Sequence, residues 1–201
     1  MDGIHIEKLT GQGIADRITD LARLRIEVFR EFPYLYEGSL AYEEKYLETY
    51  IRAADAAVFL VSDQGRPVGA STALPLPAEE ASFQKPFLDE NLDPRQYFYF
   101  GESVLLAPYR GKGIGVQFFD VREAHAQAVG PYVHSCFCAV ERPVDHPLKP
   151  ADYQPLDDFW RKRGYEKSKL RTGFTWKDID QASETEKLMN FWMKKLACTA
   201  I

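Results

Sequence analysis

Tyr97-Phe-Tyr-Phe-Gly-Glu-Ser-Val-Leu-Leu-Ala-Pro-Tyr-Arg-Gly-Lys-Gly-Ile-Gly-Val-Gln-Phe-Phe119 runs from an apolar segment into a glycine-rich turn and then into a helical pattern. From Tyr97 to Leu106 the side chains are mostly aromatic or aliphatic, which predicts a buried strand. Ala107-Pro108 ends its ladder, because proline has no N–H to donate. Beyond the turn, Ile114, Phe118, Val121, His125 and Ala128 recur at spacings of four and three and predict one helical face, stopped by Gly130-Pro131. Between strand and helix, Arg110-Gly111-Lys112-Gly113-Ile114-Gly115 carries glycines and two cations where backbone N–H groups converge on the positive end of a helix dipole. The expected ligand is a phosphate. A glycine-rich turn also serves as a plain connection, so its pattern has to be read more closely.

The dinucleotide fingerprint G-x-G-x-x-G fails on spacing, and the Walker pattern fails because Gly111-Lys112 is followed by glycine and not by Ser or Thr. What the turn does match is R-x-x-G-x-G, as Arg110, Gly113 and Gly115, after a strand ending Val104-Leu105-Leu106-Ala107. In this the sequence resembles the GNAT superfamily of acyl-CoA-dependent N-acetyltransferases. Roughly residues 55 to 176 read like that family's core, including the apolar strand Tyr132 to Val140 and the late helix and aromatic run Leu156 to Tyr165. The fold class implied is α/β (α+β), a mixed, mostly antiparallel central sheet flanked by helices.

The resemblance implies direct acetyl transfer from acetyl-CoA to an amine, with no metal. Arg110, Gly111, Lys112, Gly113, Ile114 and Gly115 would hold the pyrophosphate, and the backbone N–H groups of Leu105 and Ala107 would bind the pantetheine arm or polarise the thioester carbonyl. A lysine-like amine of pKa roughly 10.4 is short of its neutral form by ~4.6 kcal/mol at pH 7, so a base or an ordered water relay is expected. Glu102, on the strand leading to the loop, is the candidate base, against the plainer reading of a salt-bridged glutamate. Many family members carry a late-helix tyrosine that protonates the leaving thiolate, but Trp160 stands four residues before Gly164-Tyr165 here, and tryptophan is no acid. Tyr153 is the first candidate for that role; Tyr165, a water or no acid at all are the others.

At 201 residues and 45% hydrophobic content, residues 1–201 are expected to form one domain of this kind, able to bury a core without staples. A net charge of −5 and a pI near 5.5 argue against duplex nucleic acid as partner. The amino terminus lacks a signal-like n-region and h-region, and no apolar run approaches the ~20 residues of a membrane span, so a cytoplasmic protein without a membrane partner is expected. Three cysteines make no disulfide framework. Cys136 and Cys138, two apart on a strand, face one side and read as core, with only His134 near them. A homodimer is compatible with all of this, dimers being the commonest oligomer.

Elsewhere, Ile4 to Leu9 alternates as a first strand, and Ile14, Ile18, Leu21, Arg25, Val28 and Phe29 mark a helix from Ile14 to Phe29. A second helix spans Leu40 to Ala53, with Tyr42, Tyr46, Leu47, Tyr50 and Ile51 on its face. Between them, Phe32, Tyr34 and Tyr36 fall where the resembled family lines its acceptor site, and equally where aromatics would cap a core. Two strands around Asp63-Gln-Gly-Arg66 predict a hairpin. Pro75 to Asn91 reads as an insertion with a helix over Glu79 to Leu88, either a lid or a surface decoration. Leu170 to Ile179 and Lys187 to Leu196 predict a closing hairpin, although Leu188, Trp192 and Leu196 also fit a helical stripe. The proline-stiffened connection 141–155 presents Glu141, Arg142, Asp145 and His146 at a strand end, suited to a charged acceptor.

Two other classes compete. A non-catalytic acyl-CoA sensor would keep the loop without a positioned base. A covalent acyltransferase would use Cys136 or Cys138 with His134 or His146 as its base. The acceptor, a small-molecule or peptide amine, is left open by the sequence.

Overall fold

The computed structural model describes residues 3–197. In chain order its elements are β1 (Ile4–Leu9), α1 (Gln12–Ala15), α2 (Ile18–Phe29), α3 (Leu40–Arg52), β2 (Ala57–Asp63), β3 (Arg66–Pro75), α4 (Ala81–Asp89), β4 (Tyr97–Tyr99), β5 (Ser103–Leu105), α5 (Ile114–Val129), β6 (His134–Val140), α6 (Asp157–Lys162), β7 (Glu166–Trp176) and β8 (Thr185–Lys195). The sheet runs β1-β2-β3-β4-β6-β8-β7, with β5 also on β3. Among the described residues only β4 and β6 pair in parallel; the other pairs are antiparallel.

Period-two alternation distributes the aromatic strands between two layers. Tyr97, Tyr99, Cys136 and Cys138 join the core under α1 to α4, while Phe98, Phe100 and Phe137 join the core that holds Phe119 and Ala126 of α5. The two cysteines thus share a face, as their spacing predicts. Gln64 and Gly65 both have positive φ (50° and 81°) in the β2–β3 turn, the geometry of a type I′ hairpin.

Three local readings change. The predicted helix 14–29 starts as a separate turn, α1, before α2. The 79–88 helix is neither lid nor decoration, since Phe83 and Phe87 are buried in the core and Thr172 Oγ1 of β7 donates to the Ser82 carbonyl at 2.9 Å. Over 187–196 the strand wins over the helical stripe, because pairing with both β6 and β7 satisfies the backbone on either side.

The change that matters most lies in the predicted strand 97–106, which is interrupted. From Leu74 to Ser71 β3 advances three residues, whereas their partners Tyr99 and Ser103 are four apart. That extra residue is a β-bulge at Phe100–Glu102. The Gly101 N–H donates to the Thr72 carbonyl at 3.2 Å and the Glu102 N–H to Thr72 Oγ1 at 3.1 Å. Gly101 is needed there because a Cβ would lie 2.0 Å from the Tyr50 hydroxyl. Past the bulge β5 stays with β3 while β6 continues with β8, so the sheet opens into a splay.

Candidate active site

A cleft of about 1100 Å³ occupies the splay. Its walls include Gly101, Glu102 and Leu105 on one side, Phe137 to Glu141 on the other, and Arg110, Gly111, Gly113 and Gly115 at one end. The Leu106 N–H is spent on the Val68 carbonyl at 3.0 Å, so by strand alternation the Leu105 N–H points away from β3 into the gap. Ala107 continues the chain into a 3₁₀ turn ending at Tyr109.

Gly113 caps α5 in the left-handed region at φ 81°, and Gly111 has φ 74°; a Cβ on either would meet nothing within 4 Å. This leaves the first N–H groups of a 16-residue helix facing open space, a cradle suited to an anion. Of the two cations, Arg110 donates to the Leu105 carbonyl at 2.9 Å and pairs with Glu31 at 2.7 Å, while Lys112 is exposed beside the Tyr109 ring. Ile114 is core, packed with Val61, Val68 and Phe118.

Behind Glu102 a smaller chamber of about 80 Å³ adjoins the cleft; both are lined by Phe29, Tyr34, Gly101, Glu102 and Cys138. Glu102 is buried there and pairs with the Arg25 guanidinium at 2.5 Å, and Arg25 also pairs with buried Glu43. Sequence reading did not assign Arg25 or Glu43 to a site. The available signal was Arg25 itself, a cation in the apolar stripe of its helix.

Glu79 lies beyond the chamber, its Oε1 accepting from the Tyr50 hydroxyl at 3.3 Å, with the Tyr46 hydroxyl 3.3 Å from that of Tyr50. Burial, reinforced by the charge of Glu102, pushes its carboxyl up to about 7. A carboxyl raised in the folded state favours folding below its unfolded value of ~4.3 and loses that contribution as pH rises to about 7. Glu79→Gln is therefore expected to gain on the parent by on the order of 2 to 3 kcal/mol between pH 5 and pH 8 in urea unfolding. A constant difference across that range would refute it.

The remaining sequence candidates divide. Tyr34 lines both cavities, and burial pushes its phenol well above the ordinary value. Phe32 lines the cleft and Tyr36 the chamber. Tyr153 lines the cleft mouth, edge-on to Phe32 at 4.7 Å between centroids, its phenol raised by burial. Tyr165 is fully buried, bonded to Ser135 at 2.8 Å and to Glu123 at 3.1 Å, and lines neither cavity. Glu141 reaches the cleft wall, held by Asn190 and Lys167. Arg142 does not reach it: its guanidinium clamps Asp178 and the carbonyls of Pro33 and Tyr34. Asp145 and His146 lie outside both cavities, and His146 Nδ1 accepts from the Leu148 N–H at 3.2 Å.

Cys136 and Cys138 are poor nucleophiles. Burial raises both thiols, that of Cys138 to about 12, although the Tyr99 hydroxyl 3.0 Å away partly offsets it. A thiol held protonated attacks slowly. Among the described residues no group of three metal-ligating side chains converges, and no helix is long and apolar enough to cross a membrane.

Against known proteins, no family model and no curated sequence matches the chain. Solved structures do. The acetyltransferase of the GNAT family from Streptococcus pneumoniae superposes with a TM-score of 0.59 at 11% identity, over 96% of this chain and 99% of that one. The fold is that of the GNAT N-acetyltransferases. Within that fold, yncA of Salmonella typhimurium, solved with its cofactor acetyl-CoA, gives a TM-score of 0.60 at 8% identity over 100% and 98% of the two chains. The ribosomal-protein-alanine N-acetyltransferase of Brucella melitensis gives 0.61 at 14% over 96% and 99%. At such identities the GNAT likeness is one of architecture, and the chemistry rests on this chain's own residues.

Proposed function

We propose that the protein transfers an acetyl group from acetyl-CoA to a primary amine. One observation carries this reading: a single cleft through the splay joins the open cradle at the start of α5 to the buried carboxylate of Glu102. Bound there, acetyl-CoA supplies an acetyl group activated as a thioester. The N–H groups of Gly111 to Gly115 receive its pyrophosphate, and the Leu105 N–H, directed into the gap, donates to the thioester carbonyl as charge builds on it. Glu102 accepts the proton the amine must lose. Tyr153, a phenol that lines the cleft, returns a proton to the departing thiolate in this reading. The reading as a sensor without turnover is weakened by Glu102, a buried carboxylate on the wall shared by cleft and chamber.

Calorimetric titration tests the first step. Acetyl-CoA and free CoA are expected to bind the wild-type protein and not Gly113→Glu, whose carboxylate would stand in the cradle. Gly113→Ala separates charge from backbone strain, because a left-handed residue other than glycine costs ~1–2 kcal/mol on its own. Absence of wild-type binding to either ligand would overturn the proposal.

A further inference from the structure

Helix α5 buries Ile114, Phe118, Phe119, Arg122, His125 and Ala126. Arg122 alone of these is a permanent cation, and it is 3% exposed on the wall of the cleft. Its guanidinium lies 4.4 Å from the Phe100 ring centre and 4.9 Å from that of Phe119. Nε donates to the Phe118 carbonyl at 3.0 Å, and Nη1 donates to the Glu102 carbonyl, at the bulge, at 3.4 Å. The remaining edge, Nη2, bonds to no group among the described residues.

Among the described residues no carboxylate pairs with this charge. Glu123, the next residue, is taken by Lys194 at 2.7 Å and by the Tyr165 hydroxyl at 3.1 Å. The Glu102 side chain is turned to the opposite face of the sheet, against Arg25, and the Tyr50 hydroxyl on that face donates to Glu79. Burial pulls the Arg122 guanidinium down to about 10, which still leaves it charged at neutral pH. A buried cation without a counter-ion keeps its field, little screened, along the cleft it lines. Negative charge is what that field favours.

We propose that Arg122 receives the sulfur of CoA as it leaves, holding it as a thiolate on the α5 face of the gap. The inference rests on the acetyl-transfer reading and assigns the residue that carries the leaving group. The two faces of the sheet divide the charges of the reaction between them. Glu102 stands on the α2–α3 face, where it takes the proton of the amine. The cradle at Gly113 brings the donor in from the other face, and Arg122 follows nine residues along the same helix, about 13.5 Å further by its rise. A pantetheine arm of about thirteen bonds from phosphorus to sulfur reaches roughly 15 Å when extended, at ~3.5 Å per three bonds. As nitrogen bonds to the carbonyl carbon, the C–S bond breaks and its electron pair goes to sulfur, beside a cation already in place. The proton from Tyr153 then ends the cycle.

The test is calorimetric titration of CoA and of desulfo-CoA, which lacks the thiol, into the full chain between about pH 7 and pH 9. The wild-type protein is expected to prefer CoA increasingly as pH rises, by about threefold or more across that range, because a bound thiol held at least about one unit below the free one ionises earlier. The ratio cancels protein groups that titrate in both complexes, Glu79 among them. Two variants remove the charge: Arg122→Met suits the rings of Phe100 and Phe119, and Arg122→Gln keeps a donor for the Glu102 carbonyl. Either is expected to abolish the rise, to bind acetyl-CoA as the parent does, since the thioester sulfur is uncharged, and to lower kcat for acetyl transfer about 100-fold. A wild-type preference that does not grow with pH overturns the assignment whatever the fate of the variants. A rise that survives in either variant, or an unchanged kcat, overturns it as well. If neither CoA nor acetyl-CoA binds the wild type, the transfer reading falls and takes this inference with it; if both bind without the pH-dependent preference, only the assignment of Arg122 falls.

Discussion

Glu102→Gln is expected to lower kcat for acetyl transfer by about 100- to 10,000-fold while leaving acetyl-CoA affinity unchanged, the range of a lost general base. Of the residues that line both cleft and chamber, Glu102 is the only carboxylate. The other ionisable groups shared by the two cavities are Tyr34 and Cys138, and burial holds both protonated at neutral pH. The variant keeps the side chain's shape, and Arg25 keeps its pairing with Glu43, so the protein should remain folded. The measurement is kcat/KM against pH for both proteins, with thermal unfolding as a control. In the variant the rate should recover as pH approaches the amine's own pKa, because solution then supplies the neutral nucleophile. A variant within tenfold of the parent at pH 7 would place the proton acceptor elsewhere. Glu79, linked to the chamber wall by the hydroxyls of Tyr50 and Tyr46, would be the next residue to test.

The largest effect on stability is expected at the Arg142–Asp178 pair. Asp178 is fully buried and receives both terminal nitrogens of Arg142, at 2.6 and 2.9 Å, with Lys187 a further 3.3 Å away. The same guanidinium donates to the carbonyls of Pro33 at 2.6 Å and Tyr34 at 2.5 Å, and so ties the 141–155 connection to the segment that forms one wall of both cavities. Arg142→Ala would leave Asp178 buried with Lys187 as its remaining charge partner and cost about 3–5 kcal/mol, measured by urea unfolding at pH 7. Burial pushes the Asp178 carboxyl up, but the hydrogen bond and charge of Arg142, with Lys187, outweigh it and hold the group below its ordinary value. A depressed carboxyl stabilises the fold above its unfolded pKa of ~3.9 and loses that contribution as pH falls through the folded value. The difference between parent and variant should therefore be complete at pH 7 and shrink below pH 4. A loss under 1 kcal/mol at pH 7 would show the clamp to be dispensable.

Arg142 also shows how function and scaffold are confused in a linear reading. A cation in a charged, proline-stiffened connection at a strand end has the composition of a substrate contact, but nothing in residues 141–155 reveals that Asp178, 36 residues later, lies beneath it. His146 and Asp145 shared the same sequence signal and lie outside both cavities. Tyr153, read as the acid from its place before the late helix, lies in the same connection, and the edge contact with Phe32 keeps it at the cleft mouth.

The sequence by itself determined what depends on short-range order. Gly111 and Gly113 set the turn, because positive φ is cheap only for glycine and the helix that follows has a regular apolar face. The hairpin at Gln64-Gly65, the stop at Gly130-Pro131 and the shared face of Cys136 and Cys138 follow from local geometry of the same kind. Tertiary structure decided where Glu102 points. Simple alternation from Phe98 and Phe100 would turn it toward α5, whereas the extra residue at the bulge returns it to the face of Tyr99 and Val104, under α2 and α3. There it meets Arg25 and Glu43, residues 77 and 59 positions away in the chain. A bulge is fixed by the register of strands far apart in sequence and by the Tyr50 hydroxyl filling the space above Gly101, and no periodicity within 97–106 encodes either.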